Sequence, residues 1–486
     1  MPGKERFWDY EPLSAGRAQP LADSESTNSA GFFVDPFPEP KDASESKTEQ
    51  PEEFAVPKGN TNWLVRRGHA ISFIGIFLFT IAVYLRPYEF IPALWPIRTM
   101  AFWIALVTAL VYVPTQLALE GNLTSRPREV NLLLLFGLTV LLSVPFADDP
   151  AYSFGSFLDF IKVILIFVVL VNAVRTESRW KLLLFLLLAI SCFLSVSALR
   201  NYRSGVHVVE GFRVKGSIGN MLENPNDMAL HLVTMLPISV GLLLSTRNQL
   251  AKLFYGICGM LMLGGITVTF SRGGFLGLFC AAGVVIWKFR SRHRFLVVVA
   301  TVVLAGALLL FAPGAIADRF SSVFDKDQGS SVSARKDDLK RSLLVTARHP
   351  IFGIGIGNYM FRSNRALATH NSYTQVSAEV GVTALVLYVL FMITPLKRLR
   401  SIERRHSKTN DKTRFYYLAV CMQASLVGYM VCSFFASVAF VWYVYYLVAL
   451  ALCLSRFYEI EQGIGVTKPE QEIGIERASM SRAAAY

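Results

Sequence analysis

The chain has 486 residues, of which 53% are hydrophobic and only 17% charged, a balance that excludes an ordinary soluble domain. Its 48 Lys and Arg against 35 Asp and Glu leave a net charge of +13. Much of that excess sits in short segments between apolar runs, as in the cytoplasmic loops of membrane proteins, so nucleic acid is not implied as a partner. All six cysteines (Cys192, Cys258, Cys280, Cys421, Cys432 and Cys453) fall inside apolar runs, which argues against a disulfide framework or a zinc site.

Residues 1–65 are polar, rich in Pro, Ser, Glu and Asp, and have no central apolar run, so they read as a disordered cytoplasmic tail without a cleavable signal peptide. About twelve spans follow, giving an all-α polytopic membrane helix bundle. Helices 1–9 occupy 66–312 and helices 10–12 occupy 377–456, with a long external loop at 313–376 and a second cytoplasmic tail at 457–486. The eighth span, 274–287, is short and starts at a glycine pair, and the ninth covers 295–312.

Basic residues settle the expected orientation. Arg126 and Arg128, then Arg175, Arg179 and Lys181, then Arg247 and Lys252, then Lys288 to Arg294, and finally Lys397 to Arg414 fall in alternate loops. That pattern puts both termini in the cytoplasm, and the loop holding Asp148 and Asp149, which lacks Lys and Arg, outside. Several cations break it. Arg200, Arg203, Arg213 and Lys215 precede the sixth span on the external side, and Arg272 stands at the external end of the seventh. For Arg200 and Arg203, snorkelling or plain surface charge suffices.

A loop as long as 313–376 usually carries function. Within it, Ser331 to Arg348 reads as an amphipathic helix with Val332, Leu339, Leu343 and Leu344 on one face. Pro350 stops it, and Gly353, Gly355 and Gly357 permit a tight turn.

Three stretches carry the chemistry: RVKGSIGNMLENPND at 213–227, FSRGG at 270–274, and the segment from His349 to Gly381 containing HPIFGIGIGNY and HNSYTQVSAEVG. Together with the span count and the position of the long loop, they resemble the O-antigen ligase and O-antigen polymerase superfamily of bacterial membrane glycosyltransferases, over nearly the whole chain after residue 65. The resemblance implies an enzyme of the bacterial inner membrane whose active face is periplasmic. Such an enzyme transfers a glycan from an undecaprenyl-pyrophosphate carrier to an acceptor hydroxyl, without a metal or other cofactor. The acceptor is a glycan, a lipid or a protein. Nothing marks a lipid A core acceptor, which favours polymerase-type transfer in polysaccharide assembly over ligation to lipid A core or to protein.

The residues fit that chemistry on physical grounds. A departing pyrophosphate carries several negative charges at a low-dielectric surface and needs cations, and the planar, permanently charged Arg fork suits phosphate oxygens. Arg272, followed by two glycines that would admit backbone N–H groups to a ligand, is the first candidate, and Arg335 in the loop helix, which also matches the family's loop arginine, is the second. His370 is the candidate base for the acceptor proton, with Glu379 or Tyr373 to orient its ring. Pyrophosphate leaves well enough to need no general acid. Arg213 and Lys215 either bind phosphate or are solvated charge, and the turn at Asn224 and Asn226 that follows either binds sugar hydroxyls or caps the sixth span. Lys162 either contacts a phosphate or pairs with Asp159 three residues away. Two acidic pairs, Asp325 with Asp327 and Asp148 with Asp149, have the form of a metal site but lie in ordinary loop sequence. The competing non-enzyme reading is a polysaccharide transporter or flippase, against which stand the lack of an evident repeat and the scarcity of ionisable residues near span centres.

Overall fold

The computed structural model describes residues 63–209, 213–216, 224–289, 330–363, 369–408 and 414–463. The ninth span at 295–312, the Asp325-Lys326-Asp327 motif and most of both tails lie outside the described residues. The architecture is all-α. Ten helices among the described residues are long and apolar enough to cross a membrane, so the chain is a multi-pass membrane protein. An eleventh, expected at 274–287, is a 17-residue helix from Arg272 to Lys288.

In chain order the helices are α1 (Trp63–Tyr84), α2 (Pro87–Phe90), α3 (Met100–Glu120), α4 (Arg128–Ser143), α5 (Pro150–Ala173), α6 (Glu177–Ser204), α7 (Pro225–Ser245), α8 (Gln249–Thr269) and α9 (Arg272–Lys288). After the long loop begins come α10 (Ser330–Arg348), α11 (Tyr359–Arg362), α12 (Ser372–Glu379), α13 (Val382–Lys408), α14 (Arg414–Cys432) and α15 (Trp442–Glu461). Between α6 and α7 a two-stranded antiparallel ribbon pairs Val208 with Val214 and Val209 with Arg213.

Burial separates centre from rim. The α15 span is 83% buried and α7 and the α14 span are 72% buried, whereas only 28% of the α3 span is covered. Accordingly α3 turns Phe102, Trp103, Leu106, Val107, Leu110 and Leu117 outward, the face a helix shows to lipid. Around the central helices, α7 packs on α8, α9 and α14, while α13 joins α14 to α4.

Two charges expected in a cytoplasmic loop turn out to be core residues. Arg175 Nε donates to the Asn172 carbonyl at 2.9 Å, Arg179 Nη1 to that of Ala173 at 3.2 Å, and Arg456 Nη1 to that of Val171 at 2.8 Å. Three guanidinium groups therefore close the C-terminal end of α5, where the last carbonyls lack helical partners and the helix dipole is negative. Glu120 pairs with Arg175 at 2.8 Å and offsets part of this charge.

The long loop keeps its expected glycine turn. Gly353, Gly355 and Gly357 have φ of 65°, 91° and 79°, and Cβ atoms there would lie 2.3 Å from the Glu379 backbone, 2.2 Å from Ala147 Cβ and 2.7 Å from Ser156 Oγ. The turn thus wedges between α12 and the start of α5. Asp148 N–H donates to the Ile354 carbonyl at 3.0 Å, Arg362 grips the Asp148 carboxylate through two hydrogen bonds, and Phe352 stacks on Phe146 with centroids 4.2 Å apart.

Two expectations need correction. In α10, Leu343 and Leu344 are about half exposed, and the buried side carries Asp338, Ser342 and Val345 instead. Polar contacts choose that face: Tyr359 donates its hydroxyl proton to the Asp338 carbonyl at 2.9 Å, and the Thr346 and Ser377 hydroxyls bond at 2.9 Å. The tenth span starts at Val382 rather than 377, because Gly381 has φ of 103° and lies against the Pro350 and Ile351 carbonyls, separating the short α12 from α13.

Candidate active site

Four segments distant in sequence meet at one end of the bundle around a cleft of about 250 Å³. Its lining is Arg272 from the start of α9; Arg335, Lys336 and Leu339 from α10; Thr369, His370 and Asn371 before α12; and Phe434 and Phe435 after α14. The lining combines the cations Arg272, Arg335 and Lys336 with the apolar Leu339, Phe434 and Phe435.

Arg272 owes its place to a sharp break. Phe270 adopts φ of 47° and ends α8, and Ser271 then caps α9 by accepting the Gly274 N–H at 3.2 Å. The glycines after Arg272 do not open the backbone to a ligand, which corrects the expectation. A Cβ at Gly273 would sit 2.7 Å from Phe435 Cβ, and one at Gly274 would sit 2.7 Å from Ala229 Cβ. They permit close helix packing, so that the first turn of α9 is pressed between α7 and the turn after α14.

Arg213 does not line the cleft. It is buried, and it donates from Nε to the Thr269 carbonyl at 3.2 Å and from Nη2 to Asn226 Oδ1 at 2.8 Å. Asn226 Oδ1 also accepts the Ser271 hydroxyl proton at 2.9 Å. Arg213 and Asn226 therefore brace the α8 to α9 break from behind, and Asn224 caps α7 by accepting the Asn226 N–H at 2.9 Å. Lys215 continues from the ribbon, with its N–H on the His207 carbonyl at 3.0 Å. Lys162 pairs with Asp159 at 2.6 Å on α5, and neither lines the cleft.

His370 sits in the cleft with φ of 53°, a conformation uncommon outside glycine. Burial lowers its pKa below the ordinary 6.5, the Arg335 guanidinium lowers it further, and Asp338 opposes both. The ring is therefore held towards its neutral, proton-accepting form.

Neither expected ring partner serves His370. Tyr373 donates its hydroxyl proton to the Met430 carbonyl at 2.8 Å. Glu379 is buried beneath the glycine turn, where its carboxyl accepts hydrogen bonds from the Gly357 and Tyr359 backbone and from Gln375. Burial outweighs those bonds and pushes its pKa up to about 7. Its Oε2 has no hydrogen-bond partner among the described residues. Its place is to hold the loop rather than to meet the cleft.

Phe434 and Phe435 were not singled out in the sequence, where they look like the end of a span. The available signal was the pattern Ser433-Phe-Phe-Ala-Ser437, two hydroxyls bracketing an aromatic pair at a membrane boundary.

The family model described as O-antigen ligase matches residues 257–389, a segment that contains Arg272, Arg335 and His370 and excludes the 213–227 stretch. No curated protein matches the chain. Over residues 257–389 this multi-pass membrane protein is therefore similar to the O-antigen ligase family.

Proposed function

We propose that the chain transfers a glycan from undecaprenyl pyrophosphate to an acceptor hydroxyl at the periplasmic face of the bacterial inner membrane. The observation that carries this reading is the meeting of Arg272, Arg335 and His370 around a single cleft, from segments 63 and 35 residues apart. Arg272 and Arg335 bind the pyrophosphate oxygens and stabilise the charge that grows as the anomeric C–O bond breaks. His370 takes the acceptor hydroxyl proton as its oxygen forms the new bond to the anomeric carbon, and the bond electrons leave with the pyrophosphate. The cluster lies at the end of the bundle opposite most basic loops, which supports a periplasmic site and cytoplasmic termini.

Polymerase-type transfer, in which the acceptor is another carrier-bound repeat, remains the first reading because the sequence marks no lipid A core acceptor. The description of the matching family model favours a second, ligation to lipid A core or to protein. A deletion strain separates them. Single-repeat products accumulate if a polymerase is missing, and full-length carrier-bound chains accumulate if a ligase is missing.

The site itself is tested in proteoliposomes supplied with lipid-linked glycan and acceptor. Arg272→Ala and His370→Asn should insert normally and lose roughly 10²-fold or more in rate, the usual cost of removing a charge-stabilising donor or a general base. Near-normal product from both variants would refute the assignment, and lipid translocation without glycan transfer would support a flippase.

A further inference from the structure

His370 is held in its left-handed conformation by residues on either side of it. The Thr369 hydroxyl donates to the Asn371 carbonyl at 2.8 Å and accepts the Asn371 N–H at 3.3 Å, so both bonds bridge across His370. With its proton committed, Thr369 Oγ1 accepts the Ser437 hydroxyl proton at 3.1 Å. One donor and two acceptor positions are all a hydroxyl has, and here all three are used.

The contacts continue into the next residue. Ser372 Oγ donates to the Ala436 carbonyl at 2.7 Å and accepts the Val438 N–H at 2.9 Å. The same turn reaches the arginine side of the cleft, where Phe435 fills the space a Cβ on Gly273 would take and the Cys432 thiol contacts the Gly273 carbonyl at 3.4 Å.

We infer that the turn at 433–438 is a bracket that sets His370 and Arg272 relative to each other, and that Thr369 and Ser437 are positioning residues for His370. This rests on the reading of His370 as the proton acceptor. Neither hydroxyl needs to touch substrate. Their work is to keep a strained residue in the one backbone conformation that presents its ring to the cleft.

The test uses the full-length protein in proteoliposomes with lipid-linked glycan, measuring kcat, KM for the donor and the pH dependence of kcat/KM. Thr369→Val and Ser437→Ala should each lower kcat about tenfold, leave donor KM within about twofold and shift the acid limb of the pH profile. Thr369→Ser, which keeps the hydroxyl, should restore the wild-type rate and profile. The double variant should lose little more than Thr369→Val alone, because the Ser437 hydroxyl acts on His370 through its bond to Thr369.

Wild-type kcat in Thr369→Val, or a double variant whose loss is the product of the two, would overturn the inference. So would an equal loss in Thr369→Ser, or a fall in the amount of folded protein with kcat per folded molecule and the pH profile unchanged. Failure here is distinct from failure of the site: an active His370→Asn removes the proton acceptor, whereas an inactive His370→Asn beside a fully active Thr369→Val removes only the bracket.

Discussion

Arg335 and His370 illustrate how one side chain sets the chemistry of another. Burial and, after it, the guanidinium both disfavour the imidazolium, so the neutral base is populated from below the ordinary histidine value upward. The acid limb of kcat/KM should therefore lie below pH 6.5. Arg335→Gln removes a repulsion, raises the His370 pKa and should move that limb to higher pH as well as slowing turnover. A limb that stays in place, followed in buffered proteoliposomes from pH 5 to 8, would mean that another group titrates. Arg213 teaches the opposite lesson at the same scale. Its charge and its place in a glycine-rich stretch suggested a ligand contact, yet its partners are the Thr269 carbonyl and Asn226. Residue type alone does not separate an arginine that meets substrate from one that holds backbone.

At the level of elements, the glycine turn and α12 form one unit around the Glu379 carboxyl. The sign of its pH dependence follows from a folded pKa raised from 4.5 to about 7. The stabilisation it contributes is complete below 4.5 and is lost as the pH rises through about 7, where burial must hold a charged carboxylate. Amides of residues 353–362 should therefore exchange faster at pH 8 than at pH 6 after correction for intrinsic rates, and Glu379→Gln should remove that difference. Equal corrected exchange in the wild type at both pH values would exclude this pH dependence. The turn was legible in the sequence because Gly353, Gly355 and Gly357 all take positive φ, which few other residues accept. The buried face of α10 was not, because it is set by contacts that only the folded chain supplies, the Tyr359 hydroxyl of α11 on the Asp338 backbone carbonyl and the Ser377 hydroxyl of α12 on Thr346.

For the whole molecule, the proposed transfer runs on fixed side-chain charge. Product formation in proteoliposomes should persist in excess EDTA, and abolition by EDTA with recovery on adding manganese or magnesium would overturn this reading. The spans were readable one at a time because apolar length is a local property that the bilayer imposes. Orientation was expected on the same basis, from the alternation of basic loops, although Arg175 and Arg179 proved to be buried caps on α5 rather than loop charges. Each span carries its own hydropathy, and each glycine its own freedom of φ, so the sequence by itself determined the helical membrane class and the shortlist of chemically capable residues. Only the tertiary structure decided which of those residues share a cleft, that Phe434 and Phe435 complete it, and that Glu379 and Tyr373 face elsewhere. Those outcomes depend on how α9, α10, α12 and α14 pack against one another, and contacts between segments far apart in the chain leave no mark in the local pattern of either.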